Sequence, residues 1–362
     1  MIYQALARKW RPKNFKEVVG QKYIIQAISN SLKLNRIHHA WILYGTRGIG
    51  KTTIARILAK CLNCKKKITS IPCQKCDSCQ EIDKNFNPDL IEIDAASKTK
   101  VEDIKELLDN AKYPPIKERF KIYLIDEIHM LSRYSFNALL KTLEEPPAHV
   151  KFILATTNIE KLPKTILSRC IKLNLQTIKK KKILKKIQYI LKQEKILFEK
   201  KTLELIATAA DGSMRDALSL IEQIVSIGNG KIKIDHVKKM LGTFKYENFI
   251  FLLISLFKKD VRKIMNTTEK ILSLDVEPEK ILIEILRLLH YLYIKKISTI
   301  EWKSNTYNQQ QKKILNNIVK ENKFSQIKNY YSIILNGRKN IQYAPSKKLG
   351  MELTLLQILD SK

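Results

Sequence analysis

The sequence predicts an α/β fold, with a parallel sheet in the first half of the chain and helical domains after it. Strand-like and helix-like segments alternate up to about residue 178. A glycine-rich motif, residues 45–52, lies between the first strand and the helix that follows it. From residue 179 onward no strand pattern remains. Since parallel strands need a crossover connection, which is usually a helix, this alternation is typical of a parallel sheet.

Each predicted element follows from the periodicity of its apolar residues. Five short apolar runs are expected to be buried strands: residues 41–44, 90–93, 121–125, 150–155 and 170–175. Helices are expected where apolar residues recur about every 3.6 positions: residues 24–32, 54–61, 101–111 and 135–143. Residues 179–201 hold ten lysines and two glutamates, and they are expected to form one amphipathic helix with a basic face.

The composition indicates a globular protein and leaves its partners open. The chain has 362 residues, is 44% hydrophobic and carries a formal net charge of +32. Such a charge favours nucleic acid or another polyanion as a partner. The alternative is that abundant lysine, isoleucine and asparagine reflect an AT-rich genome. No stretch is typical of a signal peptide or a membrane span, so we expect no membrane partner and a cytoplasmic location.

The glycine-rich motif fits the pattern G-x-x-x-x-G-K-[ST] at every fixed position. Between a strand and a helix, this pattern is typical of a phosphate-binding loop, whose backbone N–H groups surround the phosphates. Lys51 is expected to reach the β- and γ-phosphate oxygens, and Thr52 to ligate Mg²⁺. The predicted nucleotide-binding residues here are Gly45, Thr46, Arg47, Gly48, Ile49, Gly50, Lys51, Thr52 and Thr53.

Two carboxylates follow the strand at residues 121–125. Asp126 and Glu127 are expected at the carboxyl end of that strand, beside the phosphate loop. Asp126 is predicted to hold Mg²⁺ through water, and Glu127 to polarise the attacking water as a general base. The alternative for this acidic pair is two solvated charges in a loop. The small polar residues that end the fourth strand, Thr156, Thr157 and Asn158, are candidates to hydrogen-bond the γ-phosphate or that water, and the alternative for them is a simple strand cap.

Two arginines are further candidates. Arg169 lies in a loop before the fifth strand and is a candidate to stabilise charge on a phosphoryl group, including one in a neighbouring subunit. Ser213 is expected to cap a helix, with Asp216 as its capping-box partner. Arg215 then lies in the first turn of that helix and can point at phosphate. Taken alone, each would be interpreted as an ordinary surface arginine.

Four cysteines have the spacing of a zinc site. They are Cys64, Cys73, Cys76 and Cys79, and they lie within a cysteine-rich insert at residues 61–79. Two C-x-x-C steps can bring four thiolates to one closed tetrahedral site. A redox pair or an iron–sulfur cluster is the alternative. Cys61 is left out, because it falls on the apolar stripe of the preceding helix.

Taken together, these motifs resemble those of the AAA+ clamp-loader ATPases. The resemblance rests on the phosphate loop and on residues 124–131, 143–147, 168–170 and 212–216. With the cysteine-rich insert and the opening residues 5–12, the chain is similar to the gamma/tau family of bacterial DNA polymerase III. The resemblance covers essentially the whole chain.

The resemblance implies a fold and a function. The fold is an AAA+ P-loop base with a parallel sheet and a zinc module (1–178), followed by a helical lid (179–242) and an all-α collar (243–362). The function is that of an ATP-driven motor, which opens the sliding clamp and loads it onto primed DNA within the DNA polymerase III holoenzyme. Expected partners are the clamp, primed DNA, delta- and delta-prime-type subunits and further copies of this chain, in a pentamer.

The resemblance also implies cofactors and residue roles. ATP, Mg²⁺ and Zn²⁺ are the implied cofactors. Thr157 would be sensor 1, Arg169 a trans-acting finger and Arg215 sensor 2. The implied adenine contacts are Ala7, Arg11 and Val19. Since the chain ends at Lys362, the short gamma-like form is expected, which leaves contact with the polymerase core open.

Two alternatives share part of this pattern. Another AAA+ DNA-remodelling ATPase, such as a branch-migration helicase, would carry the ATP motifs without a reason for the cysteine insert or the Ser-Arg-Cys triplet at 168–170. A non-enzymatic scaffold that binds nucleotide only for structure would have no need of Glu127 as a base.

Overall fold

The computed structural model describes residues 4–97, 101–240, 246–273, 276–297 and 309–360. The chain divides into two compact units, residues 1–237 and residues 238–362. The domain boundary expected between residues 242 and 243 lies outside the described residues.

The first unit begins with alternating helices and strands. In chain order they are α1 (Leu6–Lys9), α2 (Lys22–Lys33), β1 (Ala40–Tyr44), α3 (Lys51–Asn63), α4 (Asp77–Lys84), β2 (Leu90–Asp94), α5 (Val101–Asn110), β3 (Lys121–Asp126), α6 (Arg133–Glu144), β4 (Val150–Thr156), α7 (Lys164–Leu167) and β5 (Ile171–Asn174). The five strands form one sheet in the order β2-β3-β4-β1-β5, and every neighbouring pair is parallel. The predicted parallel α/β sheet is confirmed.

Both faces of this sheet are buried. Trp41 and Leu43 of β1 belong to a core cluster that includes apolar residues of α2 and α3. Ala40 and Ile42, which alternate with them, belong to a second cluster that includes residues of α6. Because side chains alternate between the faces of a strand, burial of both faces needs a continuous apolar run, and this is what the sequence of β1 contains.

The rest of the first unit is mainly helical. Its elements are α8 (Lys180–Gln193), β6 (Leu197–Phe198), α9 (Lys200–Ala209), α10 (Met214–Ile227), β7 (Lys231–Ile232) and α11 (Ile234–Met240), the last of which crosses into the second unit. The short strands β6 and β7 pair in parallel. The expectation that no strand follows residue 179 is therefore wrong, since two-residue strands are too short to show a period.

The basic stretch 179–201 also differs from its prediction as one helix. Helix α8 ends at Gln193, and Lys195 adopts a left-handed backbone with φ of 57°. The Ile196 N–H closes the helix end on the Leu191 carbonyl at 3.0 Å. The lysines at the end of the stretch therefore belong to α9, a separate helix.

The second unit is helical throughout its described residues. Its helices are α12 (Tyr246–Phe257), α13 (Val261–Leu272), α14 (Pro278–Ile297), α15 (Gln309–Glu321), α16 (Phe324–Asn340) and α17 (Lys347–Asp360). They share one apolar core, to which α14 contributes residues along most of its length. Among the residues that the structure describes, no helix is both long and apolar enough to cross a membrane.

Helix α16 carries a glycine where it packs against α17. A Cβ atom at Gly337 would lie 2.1 Å from Cγ2 of Thr354. Thr354 is buried, and its hydroxyl donates to the Gly350 carbonyl at 2.7 Å. A methyl group therefore meets a side chain that is already confined by packing and by a hydrogen bond.

We expect Gly337→Ala to destabilise the second unit, although alanine is favoured over glycine in a helix by about 1 kcal/mol. Overpacking of a core costs about 1–3 kcal/mol and should outweigh that gain. The measurement is the urea concentration at the midpoint of unfolding, with the exposed neighbour Asn336→Ala as the matched control. A midpoint for Gly337→Ala at or above that of the control would contradict the packing argument.

Candidate active site

The phosphate loop joins the end of β1 to the start of α3 through left-handed glycines. The φ angles of Gly45, Gly48 and Gly50 are 143°, 76° and 103°. These values favour glycine because a Cβ atom would clash with the backbone. A Cβ at Gly48 would also lie 1.9 Å from Oγ of Ser213, which caps α10. The loop therefore requires glycine both for its conformation and for its contact with α10.

Lys51 and Thr52 begin helix α3 and point to different partners. The ammonium of Lys51 donates to the carbonyls of Gly45 at 2.9 Å and Thr46 at 3.1 Å. Burial lowers the pKa of Lys51, while the carboxylates of Glu127 and Asp126 oppose this shift and favour the charged form. The hydroxyl of Thr52 donates to Oδ2 of Asp126 at 2.7 Å.

The acidic pair lies at the carboxyl end of β3, next to the end of β4. Asp126 Oδ1 accepts from the Glu127 N–H at 3.0 Å. Glu127 Oε2 accepts from both the backbone N–H and the hydroxyl of Thr157, at 3.0 and 2.9 Å. His129 Nδ1 lies 3.4 Å from the same oxygen. A continuous chain of contacts thus runs from Thr52 through Asp126 and Glu127 to Thr157.

These groups open into a cleft with a volume of about 1250 Å³. The sequence-predicted residues that line it are Ala7, Arg11, Val19, Thr46, Arg47, Gly48, Ile49, Gly50, Lys51, Thr52, Thr53, Asp126, Glu127, Thr157 and Arg215. Gly45 and Arg169 do not line the cleft. The structure therefore brings together residues from the amino terminus, three strand ends and helix α10.

Arg215 enters the cleft from the first turn of α10. Ser213 caps this helix, because its Oγ accepts from the Asp216 N–H at 3.1 Å. The reciprocal bond of a capping box is not formed, since the Ser213 N–H donates to the Ala210 carbonyl. The Arg215 N–H donates to the Gly48 carbonyl at 3.4 Å. The cap was correctly predicted, whereas its capping-box partner was not.

The cleft is rich in positive charge. Burial lowers the pKa of Arg11, and the neighbouring cations Arg56 and Arg215 add to this effect, whereas Glu92 opposes it. Arg56 binds Glu92 at 2.5 Å and Asn85 at 2.6 Å. Several guanidinium groups around one concave surface suit a polyanionic ligand.

Sequence reasoning missed several residues of the cleft. The lid side adds Lys186, Ile190, Met214, Leu218, Ser219 and Glu222, and the base side adds Arg8, Trp10, Arg56 and Asp94. Met214, Leu218 and Glu222 recur at intervals of four on one face of α10. That periodicity was readable from the sequence, but it does not say which part of the protein the face meets.

Arg169 lies apart from the cleft, on the loop between α7 and β5. Its guanidinium forms an ion pair with Oε1 of Glu144 at 2.6 Å and donates to the Thr165 carbonyl at 2.8 Å. The side chains of both ion-pair partners are partly exposed, at 34% and 50%. In this chain Arg169 therefore contacts neither the phosphate loop nor the acidic pair.

The four predicted cysteines converge. The Sγ atoms of Cys64, Cys73, Cys76 and Cys79 all lie within 4.8 Å of one another. Sulfur atoms about 2.3 Å from a tetrahedral zinc ion would be separated by roughly 4 Å. The cluster therefore fits zinc. Cys61 lies on α3, where it is buried in the core, and it is not part of the cluster. Burial raises the pKa of its thiol.

The surroundings of the cluster differ from one thiol to the next. Backbone N–H groups of Lys75 and Cys76 lower the pKa of Cys73 to about 6. Burial raises the pKa of Cys79. The ammonium of Lys65, next to Cys64 in the chain, pairs with Asp77 at 2.7 Å. A positive ion is thus the group best suited to hold all four sulfurs as thiolates.

Family models match nearly the whole chain. The model described as DNA polymerase III, delta subunit, matches residues 20–179. That of the DNA polymerase III clamp loader subunit, ATPase lid domain, matches residues 182–230. That of DNA polymerase III subunits gamma and tau, domain III, matches residues 232–362. Among solved structures, the RuvB Holliday junction branch migration motor of Thermotoga maritima has a TM-score of 0.49 and 21% identity, covering 68% of this chain and 79% of its own.

Curated relatives match this chain along all or nearly all of its length. DNA polymerase III subunit gamma of Buchnera aphidicola subsp. Acyrthosiphon pisum is 52% identical over 362 residues, which are 100% of this chain and of that protein. DNA polymerase III subunit tau of Escherichia coli K12 is 46% identical over 359 residues, 99% of this chain and 56% of that protein. The chain therefore belongs to the gamma/tau family of DNA polymerase III clamp-loader subunits, which are AAA+ ATPases.

Proposed function

We propose that this chain is the ATP-hydrolysing motor of a replicative clamp loader, and that the cleft described above binds Mg²⁺-ATP. In this role it would open a sliding clamp and place it on primed DNA. The observation that carries the proposal is the chain of contacts from Thr52 through Asp126 and Glu127 to Thr157. It lies beside the phosphate loop and supports metal-binding and base roles for these residues.

The phosphate loop provides the binding energy for phosphate. On binding, the ammonium of Lys51 would exchange its bonds to the Gly45 and Thr46 carbonyls for bonds to phosphate oxygens. This exchange replaces neutral carbonyl oxygens by anionic phosphate oxygens, which attract the charged ammonium more strongly. Thr52 and Asp126, which already contact each other, would hold Mg²⁺, whose charge offsets that of the phosphates.

Glu127 is the group best placed to act as a general base. Its carboxylate accepts two hydrogen bonds from Thr157, and Glu127 lines the same cleft as the phosphate loop. These bonds orient the carboxylate and leave its other oxygen, Oε1, to accept a proton from water. Thr157 would act as the sensor of the γ-phosphate, because it hydrogen-bonds directly to Glu127, the proposed general base.

The two arginines are assigned to different subunits. Arg215 lines the cleft of its own chain and would contact the phosphates as sensor 2. Arg169, which lies outside that cleft, would act on the nucleotide of a neighbouring subunit. The ion pair between Arg169 and Glu144 is partly exposed. Since such ion pairs contribute only about 0–1 kcal/mol to stability, the guanidinium can leave Glu144 for a neighbouring subunit at little cost in free energy.

We further propose the domain organisation and assembly of the chain. Residues 1–178 would form the base, 179–242 the lid and 243–362 a collar that assembles a pentamer with delta- and delta-prime-type subunits. The described helices of the second unit pack around an apolar core of their own, which supports a collar role because such a unit can fold apart from the ATPase base. Primed DNA would trigger hydrolysis.

Two alternative functions, a branch-migration helicase and a non-enzymatic scaffold, have less support. A branch-migration helicase is disfavoured because the relatives and family models all point to the clamp loader rather than to helicases. A scaffold with a purely structural nucleotide would not need a carboxylate held by Thr157 next to the phosphate loop.

We also propose that the cysteine cluster binds one structural Zn²⁺. Four sulfur ligands leave no position for substrate, so the ion would brace the insert rather than take part in hydrolysis. Bound zinc would tie the end of α3, through Cys64, to the start of α4, through Cys76 and Cys79.

The first test is ATPase activity with partner subunits, with and without the sliding clamp and primed DNA. We expect strong stimulation by clamp and DNA together, and loss of hydrolysis in Lys51→Ala, because that variant lacks the ammonium proposed to bind the β- and γ-phosphate oxygens. Lys22→Ala, an exposed lysine on α2, is the matched control and should behave as wild type. Hydrolysis that ignores the clamp, or that survives Lys51→Ala, would refute the proposal.

Arg169→Ala tests the division of labour between subunits. Nucleotide affinity of the isolated chain should stay near that of wild type, whereas stimulated hydrolysis in the assembled complex should fall roughly 10³-fold, as when other arginine fingers are removed. Exposed Arg36→Ala serves as the control. If the variant lost affinity for nucleotide in isolation, the arginine would belong to its own site and not to a neighbour's.

Elemental analysis by mass spectrometry tests the zinc proposal. We expect about one zinc ion per chain, and loss of that ion in Cys73→Ser with a lower thermal midpoint. Cys61→Ala should retain zinc, because Cys61 lies outside the cluster. A folded wild-type protein without zinc, or zinc loss in Cys61→Ala, would argue against the assigned ligands.

A further inference from the structure

Two chemically different sets of groups line the cleft. One set is the phosphate loop and the acidic pair. The other consists of apolar side chains, among them Val19 from the first part of the unit and Ile190 and Leu218 from the lid helices α8 and α10. A heterocyclic base needs flat apolar walls, whereas phosphates need N–H groups and cations. If the cleft takes ATP as proposed, the adenine therefore lies against the apolar set.

Part of the cleft wall is a short segment, residues 5–12, that cannot hold its own shape. Its only helix, α1, is four residues long. Isolated helices of this length do not form in water, because the entropy lost in ordering the first turn outweighs the free energy gained from its hydrogen bonds. The position of the segment, and hence of the wall that the base meets, must come from contacts with the rest of the unit.

Two lid carboxylates make polar contacts with the segment. The Leu6 N–H donates to Oε1 of Glu222 on α10 at 2.6 Å. The indole N–H of Trp10 donates to Glu194 at the end of α8 at 2.7 Å, and the ammonium of Lys9 binds the same carboxylate at 2.8 Å. The hydrogen bond from Lys9 holds the pKa of Glu194 below its ordinary value, so this carboxylate is charged at neutral pH.

Aromatic packing strengthens the second of these attachments. The rings of Trp10 and Tyr189 meet edge to face at 5.8 Å and 84°. The ammonium of Lys186 lies 5.4 Å from the Tyr189 ring and 6.0 Å from the Trp10 ring, within the range of cation–π interactions. The segment is thus attached to α10 at its start and to α8 at its end.

We propose that Glu194 and Glu222 are positioning residues for nucleotide binding, which hold segment 5–12 against the lid so that its wall is preformed for the base. Neither carboxylate needs to touch the nucleotide. Because the two carboxylates order the segment before ATP binds, binding does not have to include the entropic cost of ordering it, and affinity is higher. The inference deepens the proposed function and rests on it.

The proposal separates the two ends of the ligand. ATP uses both the phosphate loop and the base wall, whereas inorganic tripolyphosphate uses only the loop. Loss of a positioning carboxylate should therefore weaken ATP and spare tripolyphosphate. A carboxylate with a merely structural role would affect both ligands equally, because a damaged unit would lose the loop as well.

The experiment measures the affinity of the isolated full-length chain for ATP and for tripolyphosphate by titration calorimetry with Mg²⁺. We expect Glu194→Ala and Glu222→Ala each to weaken ATP about tenfold, the size of a lost charged hydrogen bond, with tripolyphosphate unchanged within twofold. Glu222→Gln keeps an acceptor for the Leu6 N–H and should restore most of the affinity. Trp10→Phe keeps a ring but no donor and should resemble Glu194→Ala.

Two controls make the outcomes distinct. Glu204→Ala removes an exposed lid carboxylate on α9 and should bind both ligands as wild type does. Lys51→Ala should lose both. Unchanged ATP affinity in both alanine variants, or a parallel loss of tripolyphosphate, overturns the positioning role while leaving the proposed function intact. A wild-type chain that does not distinguish ATP from tripolyphosphate overturns the base wall itself.

Discussion

The parallel pairing of β1 with β4, and of β4 with β3, is the constraint on which the rest of the site depends. In this arrangement Tyr44 pairs with Thr156, and Ile125 with Leu154. The carboxyl ends of three strands then meet at one side of the sheet, as parallel strands require. The phosphate loop, the acidic pair and Thr157 each follow directly from one of these ends, so their proximity is a result of register and not of loop conformation.

Two polar groups at this side of the sheet have partners within the protein. Lys51 is held by two loop carbonyls, and Glu127 by Thr157. Since an unpaired buried polar group costs about 1–3 kcal/mol, the contacts of the buried Lys51 ammonium stabilise the loop. In the proposed function, phosphate binding would exchange these hydrogen bonds instead of adding new ones. Arg169 is likewise paired on the surface, with Glu144.

Most of the sheet could be predicted, because a strand buried on both faces is a continuous apolar run that needs no partner to be recognised. The failures have physical reasons. Strands β6 and β7 have two residues each and show no period. The break after α8 depends on a left-handed lysine, Lys195, which no propensity favours. Asp216 has the right spacing for a capping box, but the Ser213 N–H donates to the Ala210 carbonyl and not to the Asp216 carboxylate.

The sequence by itself determined the groups whose chemistry depends on local spacing: the phosphate loop, the acidic pair and the four cysteines. Their neighbours lie within a few residues or at the end of a recognisable strand, so a pattern is sufficient to find them. Tertiary structure alone decided which lid residues hold the opening segment, residues 5–12. Glu194 and Glu222 meet residues more than 180 positions away in the chain. Contacts at such a separation follow from how helices pack, which leaves no trace in the local pattern of either segment.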